Sequence, residues 1–331
     1  MMWLTWRQFR AQAAVLYGAV AVLAAVLALT GPRLVSMYRA DGPSFLSNLS
    51  QVYTGLYLFG TLAVLAVPAL AGMFLGAPLV ARELDAGTHR LAWTLTSRTR
   101  WLTAKLGITG AGAVAAAGLL SLAMTWWAEP IDAAIASHDG QPGPGIFVLP
   151  RLAPEVFGGR GVVAFGYAAF AFVLGVAIGI AVRRTLPAMA LLLAVFAVTQ
   201  VVMATAVRPV LIAPVTARVP ITAADLTFIG IRGNVEVAVP QPGAWVTAQH
   251  TLDGAGQTVT PPSWIVQCPG AVPGQPDQAC FARLARLGYR QEVSYQPASR
   301  FWPLQATETG LYLALAVALA LICLWQVRRV T

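Results

Sequence analysis

Charged residues are scarce in this chain. Only 11% of its 331 residues are charged, whereas 57% are hydrophobic. A soluble protein of this length needs many more charges to cover its surface, so the composition indicates a membrane protein. The net charge of +9 arises from arginines scattered at the ends of apolar segments rather than from a basic stripe. This distribution argues against nucleic acid as a partner and is typical of the ends of membrane spans.

The chain also lacks the residue patterns of the common catalytic sites. Lys105 is its only lysine and stands outside any G-x-x-x-x-G-K-[ST] loop, so we expect no ATP hydrolysis by this chain. Its three histidines are far apart in loops and form no zinc-binding pair. No Asp, Glu or His lies in the interior of an apolar segment, where an ion-coupled transporter would place one; Glu308 stands at the outer end of the last segment. We predict no catalytic residue, no metal site and no cofactor in this chain.

Six apolar segments are each long enough to cross a bilayer, which takes about 20 residues. They run from Ala11 to Leu29, Thr54 to Pro78, Gly107 to Trp127, Gly161 to Val182, Leu186 to Val207, and Thr307 to Val327. Arginines concentrate at both chain ends and in the short loops after the second and fourth segments, which predicts that both termini are cytoplasmic. We therefore expect an α-helical integral membrane protein with six transmembrane helices, the first retained as an anchor.

The loop between the fifth and sixth spans, residues 208–306, is long enough to form an extracytoplasmic domain. Asn234–Val239 and Ser263–Gln267 have the pattern of strands, and Asp253-Gly254 is typical of a hairpin turn. Phe281–Leu287, followed by Gly288, has the pattern of a capped helix. The chain therefore divides into residues 1–207 with five spans, a β-rich domain at 208–306, and residues 307–331 with the last span and a cytoplasmic tail.

Two of the three cysteines, Cys268 and Cys280, lie in this domain, outside the reducing cytoplasm. A disulfide between them is a candidate. Two free thiols are the alternative, because Pro273 and Pro276 limit how the intervening loop closes.

Glycines mark the helix faces at which two transmembrane helices can approach each other closely. Gly72 and Gly76 in the second span, and Gly175 and Gly179 in the fourth, each form a G-x-x-x-G step. Lipid offers no hydrophobic drive for helix association, so small residues that bring backbones together are the expected packing sites. The pattern fits contacts within one subunit and contacts between two copies equally well.

The cytoplasmic loop at residues 79–106 contains a short amphipathic pattern. Gly87 suits the end of one helix, and Thr88 can cap the start of another. Leu91 and Leu95 share one face of that helix, with Trp93 beyond them. Such a helix can dock in a groove of another protein or lie on the inner leaflet, and the spacing does not decide between these.

The same loop resembles that of ABC-2-type transporter permeases, which carry an Arg-Glu-x-(Asp/Glu)-x-Gly-Thr run after the second span. Arg82, Glu83, Asp85, Gly87 and Thr88 match it. The segments Trp3–Arg10 and Pro297–Gln305 also look familial, and the resemblance covers the six-span layout.

The resemblance implies several partners and sites. The helix from Thr88 to Leu95 would be the coupling helix that docks on a separate ATPase subunit, present in two copies, which binds ATP and Mg. A second permease copy, identical or related, would face spans two and five, and membrane lipids would surround the spans. The segment before the first span would be an interfacial helix. The implied partner-binding residues are Arg82, Glu83, Asp85, Gly87, Thr88, Arg90, Leu91, Trp93 and Leu95, and Phe301, Trp302 and Pro303 would form an outer gate.

Two functional hypotheses follow. The first is the permease subunit of an exporter in the bacterial cytoplasmic membrane, with a drug, antibiotic, peptide or lipid as cargo. The second is a membrane-embedded sensor or assembly factor with an outer ligand-binding domain and no transport activity. A passive channel is disfavoured because polar residues in the spans are few.

Overall fold

The protein is mostly helical, as expected. The computed structural model describes residues 2–85, 97–137, 149–223, 226–229, 235–237, 239, 241–268 and 278–329. Six helices within these ranges are long and apolar enough to cross a membrane, which confirms the predicted number of spans. We call them spans 1 to 6: Ala14–Asp41, Gln51–Glu83, Thr99–Ala136, Val163–Val182, Thr185–Leu211 and Ala298–Arg328.

Most of the spanning helices extend beyond the apolar segments that predict them, whereas that of span 4 lies within its segment. In chain order they are α1 (Met2–Asp41), α2 (Phe45–Asn48), α3 (Gln51–Ala71), α4 (Ala77–Asp85), α5 (Arg98–Ser137), α6 (Pro154–Phe157), α7 (Val163–Val182), α8 (Thr185–Val202), α9 (Arg208–Leu211), α10 (Gln278–Arg286) and α11 (Phe301–Arg329). Two π-helical turns, Gly72–Gly76 and Met203–Val207, join α3 to α4 and α8 to α9.

The amino-terminal segment is part of helix α1 rather than a separate element. Helix α1 continues unbroken from Met2 to Asp41, through the predicted interfacial segment and through Pro32. A proline lacks the N–H of one intrahelical bond, but transmembrane helices tolerate this loss. Span 1 therefore ends later than the predicted Leu29.

Span 4 forms the core of the helical unit. It is apolar on all sides and mostly buried, whereas spans 1, 5 and 6 expose broad apolar faces. Leu75, Leu102, Phe172 and Val176 belong to one buried cluster that joins spans 2, 3 and 4. An all-round apolar helix is expected at the centre of a bundle.

The connection between spans 4 and 5 is the predicted tight turn. Arg183 adopts a left-handed conformation with φ of 58°, and its N–H donates to the Gly179 carbonyl at 3.0 Å. This bond closes span 4, and span 5 begins two residues later at Thr185.

A second compact unit comprises residues 131–153 and 212–301. It therefore includes most of the predicted domain at 208–306, without residues 208–211 and 302–306, and the end of α5. Its strands are β1 (Val215–Pro220), β2 (Leu226–Ile229), β3 (Val235–Val237), β4 (Trp245–Leu252) and β5 (Arg290–Gln296). Strand β5 pairs antiparallel with β1 and β4, and β2 pairs antiparallel with β3.

Most predicted elements of this unit are present, with one correction. Strand β3 lies within the predicted Asn234–Val239, and α10 ends at Arg286, two residues before Gly288, whose φ is 75°. Ser263–Gln267 is a 3₁₀ helix, so the strand prediction was wrong. The Ile265 N–H donates to the Pro262 carbonyl at 3.0 Å, and this local turn takes the place of a sheet ladder.

Candidate functional site

The predicted coupling region is partly described. Arg82 and Glu83 lie in the last turns of α4, Arg82 being exposed, and Asp85 is the final residue of that helix. The predicted partner-binding residues that lie outside the described residues are Gly87, Thr88, Arg90, Leu91, Trp93 and Leu95.

An ion pair joins the two helices that flank this loop. Lys105 of span 3 donates to the carboxylate of Glu83 at the end of span 2. Lys105 is only 4% exposed, and its ammonium lies 4.6 Å from the centre of the Trp101 ring. Because both partners are largely shielded from water, the pair is a much stronger tether than a surface ion pair. The loop therefore emerges from two helices that are fixed to each other at its base.

The four glycines predicted as packing sites lie against each other within one chain. A Cβ on Gly175 would lie 2.5 Å from the Gly72 carbonyl oxygen, and one on Gly179 would lie 2.5 Å from the Ala77 carbonyl oxygen. A Cβ on Gly72 would in turn lie 2.5 Å from the Ala171 carbonyl oxygen, and one on Gly76 would overlap the Phe172 carbonyl. Spans 2 and 4 thus meet backbone to backbone, and both G-x-x-x-G steps are used by one intrachain seam.

A buried charged cluster joins spans 4, 5 and 6 at their opposite ends from this loop. Arg208 donates to both carboxylate oxygens of Glu308, at 2.8 Å and 3.0 Å, and to the Tyr167 hydroxyl oxygen at 3.2 Å. The Tyr167 hydroxyl also donates to Glu308. Glu308 is fully buried and Arg208 is 2% exposed. The π-helical turn directly before Arg208 adds a residue to the helix, which turns its side chain by about 100° relative to a regular α-helix.

The segment Phe157–Gly161 begins at the last residue of α6 and is entirely buried, and its residues after Phe157 are non-helical. Ser121 and Thr125 of span 3 bond the backbone of Gly161, Ser121 donating to its carbonyl at 2.8 Å and Thr125 accepting from its N–H at 2.7 Å. Arg160 donates to the Thr61 hydroxyl oxygen in span 2 at 3.1 Å. Side chains of spans 2 and 3 therefore hold a stretch of irregular backbone inside the helical unit.

Span 6 holds the same segment through one glutamine. The Gln305 side chain donates to the Phe157 carbonyl at 3.1 Å and accepts the N–H groups of Val162 and Val163 at 2.9 Å and 2.8 Å. It therefore caps the start of span 4 as well. Gly161 has φ of 68°, and a Cβ there would lie 2.7 Å from the Gln305 side-chain oxygen, so this position requires glycine.

The three residues predicted as an outer gate lie at the start of α11. Phe301 is buried, with the Arg151 guanidinium 4.5 Å from its ring centre. Trp302 is exposed, and Pro303 occupies the first helical turn, where a missing N–H costs nothing. The structure thus places the three residues in a regular helix.

Cys268 and Cys280 are joined by a disulfide in the second unit. Cys268 belongs to a buried apolar cluster with Ile265, Phe281 and Val293, so the bond ties the 3₁₀ helix and α10 to the sheet. Cys323 is a buried free thiol in span 6.

Sequence reasoning missed the charged cluster and the buried segment. Arg208 and Glu308 lie at the ends of predicted spans and Arg160 directly precedes one, and charges at such positions normally mark the membrane boundary. The available signals were the opposite charges at matching ends of spans 5 and 6, and the three glycines around Arg160.

Comparison with known protein families gives a match over the first five spans. The model of the ABC-2 membrane transporter related family matches residues 17–208, more than half of the chain. The match runs from span 1 to Arg208 and includes the glycine seam and the segment Phe157–Gly161. No curated protein and no solved structure matches the chain. Taken with the six apolar helices, the family match shows that this multi-pass membrane protein belongs to the ABC-2 membrane transporter related family.

Proposed function

We propose that this chain is the permease subunit of an ATP-binding-cassette exporter. It forms the translocation path for a hydrophobic or amphipathic compound, such as a drug, antibiotic, peptide or lipid. A separate ATPase subunit binds ATP and Mg and drives the cycle. Family membership and the apolar spans support this proposal.

The observation that carries the proposal is the Glu83–Lys105 ion pair at the base of the loop. A force applied to a loop is lost if its two stems move independently. Here the stems are tethered by a shielded ion pair, so the force reaches spans 2 and 3 together. This is the geometry required of a loop that receives mechanical work from a partner.

Close contacts continue from that loop to the opposite end of the helical unit. Span 2 meets span 4 backbone to backbone at the glycine seam. Span 4 is joined to spans 5 and 6 by the Tyr167, Arg208 and Glu308 cluster. Both the seam and the buried pair resist gradual deformation, so the helices move as rigid bodies. A displacement at the loop is therefore transmitted across the bundle.

In the assembled transporter two permease copies and two ATPase subunits form one complex in the bacterial cytoplasmic membrane. Both termini and the loop at residues 79–106 face the cytoplasm, where the ATPases are. The domain between spans 5 and 6 faces outward, in the oxidising compartment that suits the Cys268–Cys280 bond.

The double substitution Leu91→Asp and Leu95→Asp tests the loop assignment. Two charges on the apolar face of the coupling helix are expected to remove it from the groove on the ATPase. The ATPase retained by the tagged permease should then fall by roughly ten-fold or more, as expected when about 1.4 kcal/mol or more of binding free energy is lost. Leu287→Asp, the same change at an exposed leucine of the second unit, is the matched control.

Two results are informative. Loss of the ATPase from the double variant but not from the control supports docking through this helix. Full retention of an active ATPase by the double variant contradicts the coupling-helix assignment.

A further inference from the structure

Helix α5 belongs to both compact units. It runs without a break from Arg98 to Ser137 and has 40 residues, which is about 60 Å at the rise of an α-helix. Its residues up to Pro130 lie in the helical unit, and residues 131–137 lie in the second unit. At the other three boundaries, the chain passes between the units within one residue of a helix end. Among the described helices, only α5 therefore extends by about two turns from one unit into the other.

The end of α5 is packed inside the second unit. Ile131 and Ala134 lie on one face of the helix, three residues apart, and both are buried. Gly243 lies against the next turn, where a Cβ on it would lie 3.4 Å from the Ala136 Cβ and 3.5 Å from the Ala298 Cβ. A close-packed interior resists deformation and fixes the helix against its neighbours. The last two turns of α5 are therefore a structural part of the second unit.

The opposite end of α5 is fixed at the base of the loop at residues 79–106. Lys105 is bonded to Glu83 of span 2, and Leu102 belongs to the buried cluster that joins spans 2, 3 and 4. Between its two ends α5 contains one proline, Pro130, which directly precedes the second unit. A proline removes one intrahelical bond and allows a kink, but the helix continues on both sides of it. An unbroken helical backbone therefore joins the loop to the second unit.

We propose that α5 is a transmission rod, which carries movement of the loop at residues 79–106 to the second unit, so that the second unit changes position during each ATPase cycle. This inference rests on the proposed export function for its source of movement. Coupling between two binding sites is reciprocal. A molecule that binds one position of the second unit therefore changes the affinity of the ATPase for ATP by the same factor. The second unit is thereby a regulatory element of the transporter.

Two variants change the stiffness of α5 at the boundary and keep its register. Glu129→Gly together with Ala133→Gly adds backbone freedom on both sides of Pro130, because glycine is a poor helix former. Glu129→Ala is the matched control, since it removes the same exposed carboxylate and leaves alanine at both positions. We call the first the glycine variant and the second the alanine control.

Two nitroxide labels measure the position of the second unit in the isolated permease. They are attached at Leu119→Cys in span 3 and at Leu287→Cys in the second unit, both exposed positions, with Cys323→Ser to remove the free thiol. Pulsed electron paramagnetic resonance should give one narrow distance for the protein with an unchanged α5 and for the alanine control. The glycine variant should lose this narrow distance.

Two results of this measurement would overturn the proposal. A narrow distance retained in the glycine variant would show that other connections hold the second unit. A broad distance with an unchanged α5 would show that this helix does not fix the unit. An intact Cys268–Cys280 disulfide shows that the second unit of the glycine variant is folded. If that bond is absent, Glu129→Gly alone replaces the glycine variant, with the same expected result.

The same variants test the movement in the complex with the ATPase. Labels at Val198→Cys in span 5 and at Leu287→Cys report the second unit relative to a span outside the rod. ATP should shift this distance by roughly 2 Å or more, the size of helix shifts in switching proteins, and the glycine variant should lose the shift. An unchanged distance during ATP hydrolysis, or an equal shift in the glycine variant, would overturn the proposal. Absence of an ATPase partner would instead contradict the export function and leave the result on the isolated permease standing.

Discussion

The ion pair between Arg208 and Glu308 places two full charges in the interior of the helical unit. Neither charge reaches water, and each is hydrogen-bonded to the other and to the Tyr167 hydroxyl. Burial of charges is costly, and the attraction between them compensates only while both remain in place. The stability of this region therefore depends on each partner much more than on an ordinary side chain.

Glu308→Gln is expected to destabilise the protein by about 3 to 5 kcal/mol, because it leaves the Arg208 charge buried without its counterion. Glu292→Gln, at a pair that is largely exposed, should cost at most about 1 kcal/mol. Thermal unfolding of both variants in the same detergent measures the difference. Equal unfolding temperatures for the two variants would show that the buried pair contributes no more than the surface pair.

The sequence shows that charged residues stand at these span ends, but it does not show which residues they contact in the fold. Arginine at the end of an apolar segment is normally a boundary residue, and Arg208 fits that pattern. Its burial depends on the π-helical turn at Met203–Val207, and that turn has no sequence signature in apolar residues. Gly158, Gly159 and Gly161 signalled irregular backbone, but only tertiary contacts with Gln305 and Ser121 draw that backbone inside.

At the level of secondary structure elements, the glycine seam determines how spans 2 and 4 pack. Small residues at both G-x-x-x-G steps bring the two backbones into contact, and each step faces the other. Close backbone contact maximises van der Waals packing, which is the main drive for helix association in lipid. The seam is therefore sensitive to an added methyl group.

Gly175→Ala is expected to destabilise the protein by about 1 to 3 kcal/mol through overpacking. The new Cβ would lie 2.5 Å from the Gly72 carbonyl oxygen, which belongs to backbone and cannot move aside. Gly55→Ala in span 2 is the matched control, since no atom lies within 4 Å of its added Cβ. Its unfolding temperature should be unchanged or higher, because alanine favours helix. Equal loss of stability in both variants would contradict the seam.

The tether between spans 2 and 3 gives a second prediction at this level. Lys105→Met leaves the Glu83 carboxylate shielded without its counterion and should cost about 1 to 3 kcal/mol. The double variant Glu83→Gln and Lys105→Met should recover part of that stability. It should not recover the stimulation of the ATPase by the permease, because the stems of the loop remain untethered. Wild-type stimulation in the double variant would show that the ion pair has no role in transmission.

Predictions from the sequence succeed for long apolar elements and fail for short ones. The number of spans follows from apolar length alone, and the turn at Arg183 follows from charge. Ser263–Gln267 failed because five residues carry too little periodicity to separate a strand from a 3₁₀ turn. The seam was foreseeable as a pair of motifs, but the sequence did not show that they meet within one chain.

At the level of the whole molecule, one chain of contacts connects two ion pairs at opposite ends of the helical unit. The Glu83–Lys105 pair lies at the base of the loop, and the Arg208–Glu308 pair lies at the other end of the spans. The glycine seam connects them through span 4. Such an arrangement suits a protein that receives work at one end and opens at the other. The remaining apolar faces of spans 1, 5 and 6 are available to lipid and to a second copy.

The most direct test of the account is to purify the tagged protein in mild detergent from its native membrane and identify what accompanies it. The account predicts a P-loop ATPase in equal stoichiometry, lost when Leu91→Asp and Leu95→Asp are introduced. Reproducible absence of any ATPase from the wild-type preparation would contradict the account and favour a sensor or assembly factor.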